Sequence, residues 1–227
     1  MTGPQDLGGR RGFGPIPEPG VGEREVFAAD WERRVFGLSF CSWVASGVEV
    51  DQSRAWQANL PDDRYYGSSY YERWLYSLER LMVEKGVASE AEIASGSARP
   101  GKRHTRPKVE PAALAGAVAE LADHGVRRFR EPDGEPVHAV GDRVRVKELD
   151  PVGYDRVPTY LKGRRGRIDE RLGAFGHPAD LAAGRVDAPG AHCYRVRFKA
   201  TELWGESAEH PGDSLCVDLF ESHLEPA

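Results

Sequence analysis

GDRVRVK, residues 141–147, sets Val144 and Val146 in alternation with Arg143, Arg145 and Lys147. A period of two sends successive side chains to opposite faces of an extended chain, so the stretch predicts a strand with one apolar and one basic face. The period returns downstream. Val196 and Phe198 alternate with Arg195, Arg197 and Lys199, and Leu215, Val217 and Leu219 alternate with Cys216 and Asp218. With the GRRGRI segment at 163–168 and HLE at 223–225, about five short strands punctuated by glycine are expected after Pro136. Such a set predicts a small closed or nearly closed barrel of SH3-like type.

Upstream of Pro136 the apolar spacing is helical instead. From Ala28 to Ala45, Trp31, Val35, Phe36, Leu38 and Trp43 recur near a period of 3.6, and Asp30 and Glu32 lie where a helix dipole favours anions. A second short helix is expected from Asp51 to about Leu60, with Asp51 as N-cap and Pro61 closing it. The clearest helix has a Ser69/Glu72 capping box, an apolar stripe of Trp74, Leu75, Leu78, Leu81 and Met82, and Gly86 as its stop. Ser89 and Glu92 repeat the box. The stretch SGSARPGKRHTRPKV, 95–109, reads as a linker, and Pro111 opens an alanine-rich helix to Leu121 that Gly125 ends.

Residues 1–24 are dense in glycine and proline and read as an extended arm, lying in solvent or along another chain. The expected class is α+β: an arm at 1–24, a helical domain at 25–125 that includes the linker, and an SH3-like β-barrel at 126–227.

Composition narrows the function. With 227 residues, 40% hydrophobic and 30% charged, the chain can bury a core, and no window is apolar enough to span a bilayer. No secretory signal is legible at the N-terminus, so a cytoplasmic location is expected. Cys41, Cys193 and Cys216 are scattered without CxxC spacing, which argues for reduced, mostly packed thiols, and no HExxH or similar ligand cluster occurs. No metal site is expected in this chain. A net charge of -5 disfavours phosphate-backbone binding, so neither nucleic acid nor membrane is an expected partner. GxSxG, phosphate loops and carboxylate dyads are absent from the sequence.

Seven segments occur in one order along nearly the whole chain: DLGGRRGFGPI (6–16), FAADWERRVF (27–36), SSYYERWLYSLERLMVEKGV (68–87), GDRVRV (141–146), GYDRVPTYLKGRRGRI (153–168), YRVRFKATELWGE (194–206) and VDLFESHLEPA (217–227). Together they resemble the β subunit of nitrile hydratase, with its cobalt-type members slightly favoured. The resemblance implies an obligate complex with an α subunit, in an (αβ)2 assembly, that hydrates a small-molecule nitrile to the amide. The α subunit of the family carries a C-x-x-C-S-C segment that holds cobalt(III) or iron(III), with two of its cysteines oxidised to sulfinate and sulfenate. The family's two β-subunit arginines that bond to those oxidised sulfurs map onto Arg54, in VDQSR, and Arg156, in GYDR. An arginine fork suits a buried sulfur oxyanion because it neutralises the charge and fixes the oxygens at once. Tyr70 resembles the tyrosine bordering the family's substrate pocket. Trp74, Ser39, Phe40, Val50 and Ser53 align with positions that shape the channel.

The sequence departs from the family pattern at Tyr154, where many members have histidine, and at Ser39 and Ser53, where large apolar residues are common. Smaller, more polar walls point to a wider channel or a polar substrate. Taken without the motifs, Arg54 reads as a solvated helix residue and Arg156 as a turn residue pairing with Asp150 or Asp155. Other readings are a subunit of thiocyanate hydrolase or of a nucleoside-nitrile hydratase, an activator resembling the helical half, and an SH3-like RNA-binding module.

Overall fold

A computed structural model describes residues 3–6, 12, 26–100, 109–124, 129–148 and 154–227. Most of the arm expected at 1–24, the centre of the linker at 101–108, and Gly125 lie outside the described residues. The chain divides into two compact units, Gly12–Val126 and Met1–Arg11 with Arg127–Ala227.

The first unit is helical. Helix α1, Asp30–Ser46, buries Glu32, Val35, Ser39 and Trp43, one stripe at spacings of three and four. It ends at Gly47, whose φ of 61° is the left-handed conformation that favours glycine. Helix α2, Val50–Ala58, starts earlier than expected: Glu49 is the N-cap, in a capping box with Gln52. Asp51 therefore lies within the first turn, where it is buried, and does not cap the helix. Pro61 does end the run, but it also caps a further short helix, α3, Asp62–Gly67, for which the apolar pattern gave no sign. Helix α4, Tyr70–Glu84, has the expected Ser69/Glu72 box and buries Tyr71, Ser77, Leu78 and Leu81. The second expected box heads α5, Glu90–Ser95, and α6 spans Pro111–His124. Trp43, Val48 and Leu81 form the centre of this unit, with Phe40, Val50, Trp56, Trp74 and Met82 packed against them.

The second unit is an antiparallel sheet of β1 (Arg143–Val146), β2 (Arg165–Gly176), β3 (Gly190–Lys199), β4 (Ser214–Phe220) and β5 (Leu224–Pro226), in the order β4-β3-β2-β1-β5. Short helices α7, Pro178–Ala182, and α8, Ala200–Trp204, fill the β2–β3 and β3–β4 connections. The alternation holds as expected: Val144, Val146, Val196, Phe198 and Leu219 are buried, whereas Arg143, Arg145, Cys216 and Asp218 are exposed. Strand β2 departs from expectation. It begins at Arg165 and runs on to Gly176, with two register shifts against β3 that carry the pairing past Asp169 and Leu172. Gly166 is required in this strand, since a Cβ there would lie 2.5 Å from Cγ1 of Val196.

The hydrogen-bonded ladder does not close among the described residues, because β4 and β5 occupy the two edges. The sheet is nevertheless not flat. Five flat strands would set their edges about 19 Å apart, but only the 3-10 turn Glu221–His223 separates β4 from β5, and four residues of chain reach at most about 14 Å. Its concave side holds Val144, Val146, Leu161, Ile168, Tyr194, Val196, Phe198, Leu203, Leu219 and Leu224. Residues 3–6 also belong here. Thr159 donates from its backbone N–H to Oδ2 of Asp6 at 3.1 Å, and its hydroxyl donates to the same oxygen.

Candidate functional site

In the helical unit, aromatic rings from α1 and α4 form a continuous row. Phe36 lies 4.7 Å from Phe40, Phe40 5.2 Å from Trp43, Trp43 5.3 Å from Trp74, and Trp74 5.8 Å from Tyr70, measured between ring centroids. Spacings of four and three on α1 and of four on α4 put these side chains on matching faces. Burial decreases along the row, from Trp43 in the core to Tyr70, which is 59% exposed at the first turn of α4. The row thus offers an apolar wall ending in an accessible phenol, a surface suited to a small apolar ligand with one polar end.

Of the channel residues expected from the sequence, Phe40, Trp74 and Val50 pack onto the helical core. Ser39 and Ser53 are both sealed, at 2% exposure. Ser53 donates from Oγ to Oγ of Ser77 at 3.0 Å, Gln57 donates to the same oxygen at 3.3 Å, and Ser77 in turn donates to the carbonyl of Trp74 at 2.9 Å. That chain ties α2 to the turn of α4 that carries Trp74. One residue beyond Ser53, Arg54 is exposed, and its guanidinium makes no hydrogen bond or ion pair among the described residues.

In the second unit, Arg156 follows Tyr154 and Asp155, both buried, and is itself exposed. Its guanidinium pairs with no acid among the described residues; Asp150, the other expected partner, lies outside them. The contact with Asp155 is made by the backbone, whose N–H donates to Oδ1 at 2.6 Å. The same oxygen accepts from the N–H of Val157 at 3.3 Å and lies 3.2 Å from Nε2 of His223. Burial pushes the Asp155 carboxyl up, but its bond to His223, the charge of that ring and the two backbone donors outweigh burial and hold it below its ordinary value. His177 packs against His223 at 5.4 Å between ring centroids; burial, then the nearby His223, pushes its pKa down. With Nδ1 accepting from the N–H of Ala179, the Nε2 of His177 carries the proton toward Oγ of Ser222, 3.2 Å away. The sequence names Asp155 only as an acid that Arg156 could pair with, and gives no sign of His177 or His223 beside it. They are distant in the chain, and no local spacing announces them.

The three cysteines are free. Cys193 is packed in the sheet, where burial pushes its thiol up to about 11, so it is no nucleophile at neutral pH. Cys41 is half-buried, and Cys216 is exposed on β4. Among the described residues there is no group of three or more His, Cys, Asp or Glu side chains able to hold a metal ion. No helix among them is long and apolar enough to cross a membrane.

Comparison with known proteins accounts for both units. Residues 1–120 match the family described as nitrile hydratase beta subunit, N-terminal, and residues 127–226 match nitrile hydratase beta subunit, C-terminal. The chain is 36% identical to a nitrile hydratase subunit beta from Pseudomonas putida, over 100% of both chains. It is 35% identical to the low-molecular weight cobalt-containing nitrile hydratase subunit beta from Rhodococcus rhodochrous, again over 100% of both. A thiocyanate hydrolase subunit alpha from Thiobacillus thioparus is 31% identical over 44% of this chain and 79% of its own length. With matching family models on both units and relatives aligned from end to end, the chain belongs to the nitrile hydratase β subunit family.

Proposed function

We propose that this chain is the β subunit of a nitrile hydratase whose Arg54 and Arg156 donate to oxidised cysteine sulfur at the metal centre of an α subunit. The end-to-end likeness to nitrile hydratase β subunits carries the reading. Two guanidinium groups with no acidic partner among the described residues support the role given to them, since an exposed arginine without an acid beside it can engage an oxyanion on another chain. A thiocyanate hydrolase subunit alpha aligns with 44% of this chain, whereas nitrile hydratase β subunits align with all of it, which favours the nitrile over thiocyanate as substrate.

The metal, cobalt in the names of two relatives, is assigned to the partner, and among the described residues no group of three or more His, Cys, Asp or Glu side chains is placed to hold an ion. When bound there, it supplies Lewis-acid polarisation of the nitrile. What this chain supplies is orientation and a wall. Each arginine fixes the direction of a sulfur oxyanion by paired N–H donors, and Tyr70 with Trp74 borders the substrate. Phe40 and Val50 back that wall. Ser39 and Ser53 act through packing, with Ser53 setting the height of Trp74 through Ser77. Because both are buried, the wider or more polar channel expected from their small size does not follow from their own side chains. The curled sheet, with a single 3-10 turn between β4 and β5, is read as an SH3-like barrel, and the complex as a cytoplasmic (αβ)2 assembly.

The test is co-expression with the α subunit and assay of amide formation from a panel of nitriles. Arg54→Ala, Arg54→Lys, Arg156→Ala and Arg156→Lys each lower turnover by about 10 to 100-fold, while the complex remains assembled by light scattering. Full turnover in the variants at both positions overturns the assignment.

A further inference from the structure

Arg156 sits between two carboxylates that hold its backbone from either side. Ahead of it, Oδ1 of the buried Asp155 collects the N–H groups of Arg156 and Val157 and is met by Nε2 of His223 at 3.2 Å. Behind it, Asp6 takes both the backbone N–H and the hydroxyl of Thr159, at the start of the 3-10 turn Thr159–Leu161. Between the anchors the guanidinium is exposed and bonded to nothing described in this chain. A flexible arginine loses rotamer freedom on meeting its target, and less is lost in aim when its Cα is already fixed. The local geometry is therefore that of a mounted side chain, with stiff backbone and an idle head group.

Two of the three anchoring groups come from remote parts of the sequence. His223 belongs to the turn between β4 and β5, and Asp6 to the described piece of the N-terminal segment. Neither makes a contact that Arg156 needs merely to be folded into a strand or helix, because the residue lies in neither. The groups around the His223 ring are Asp155, the His177 and Phe220 rings, and, through its backbone carbonyl, the N–H of Lys147.

We propose that Asp155 with His223, and Asp6 through Thr159, are positioning residues that present the Arg156 guanidinium to an oxyanion of the partner subunit. The inference rests on the role proposed above for Arg156, and the experiment separates the two. It uses the α/β complex with Asp155→Asn, His223→Gln and Asp6→Asn, beside Arg156→Lys. Amide hydrogen exchange is followed on peptides covering residues 154–160, together with kcat, KM and the thermal midpoint.

Asp155→Asn and His223→Gln speed exchange at Arg156 and Val157 by about 10-fold, the effect of weakening one charge-assisted hydrogen bond. They lower kcat by about 10-fold and leave KM within about twofold, as expected for lost aim of a group acting on the centre. Asp6→Asn speeds exchange at Thr159 with a smaller fall in kcat. Unchanged exchange and unchanged kcat in all three variants overturn the inference while an inactive Arg156→Lys leaves the role of Arg156 standing. A fall in kcat that merely tracks a lowered thermal midpoint, with KM and local exchange as in the wild type, overturns it as well. Full turnover in Arg156→Lys removes the role of Arg156 and the inference with it.

Discussion

Asp155 illustrates how one side chain can carry a pH dependence. Its folded-state pKa is held below its ordinary value, so its contribution to stability is present above that value and is lost as pH falls through the folded one. Compared with Asp155→Asn, the wild-type chain should therefore have the higher urea midpoint near pH 5, with the gap closing as pH drops below the ordinary 3.8. A gap that stays constant or widens on acidification contradicts the assignment. Tyr194 lies at the opposite end of the scale: burial, then its hydrogen bond to Glu221, pushes its hydroxyl up to about 12, so it remains a donor throughout the neutral range. At this scale the motifs point to single residues, Arg54 and Arg156, whose role is the proposal made above, and they are silent about contacts between distant residues. Nothing in SHL or in GYDR says that His223 meets Asp155, because only the curl of the sheet brings the turn after β4 to that loop.

Among the elements, the helices with local start signals were read correctly, and for a physical reason. A capping box satisfies two N–H groups within four residues, so the signal and the structure it causes occupy the same short window, as at Ser69/Glu72 and Ser89/Glu92. Ser69→Ala should cost about 1 kcal/mol of stability, measured by urea unfolding of the chain, and loosen the first turn that carries Tyr70. No loss, with Tyr70 equally protected, would mean that packing of α4 alone holds that turn. Where the signals are not local, the structure departs from the sequence pattern. Glu49 outcompetes Asp51 for the cap of α2 because its partner Gln52 completes a box and Asp51 is drawn inside. The hydrophilic DDRYYG gives α3 no apolar stripe to announce it. The reach of β2 was hidden by its two register shifts, since each breaks the period of two that marks a strand.

For the molecule as a whole, division of labour is the main feature. One unit brings an aromatic wall and one arginine, the other a sheet and a second arginine, and no described cluster could bind a metal. The chain purified without an α subunit should accordingly carry well under one equivalent of cobalt or iron by plasma emission spectroscopy, and convert no nitrile. Stoichiometric metal in the isolated chain would contradict the reading. The helical-then-sheet order was legible from the change of period after Pro136, whereas the attachment of residue 6 to the sheet unit was not, being a single tertiary contact between distant segments. The pairing of β1 with β5 has one more consequence, in time. During translation β1 is made roughly eighty residues before its neighbour, a delay of about 4 to 16 s at ordinary elongation rates. Throughout that interval one side of β1 has no strand to bond. A ribosome that pauses there would leave an adhesive edge open, and chaperone demand should peak in that window.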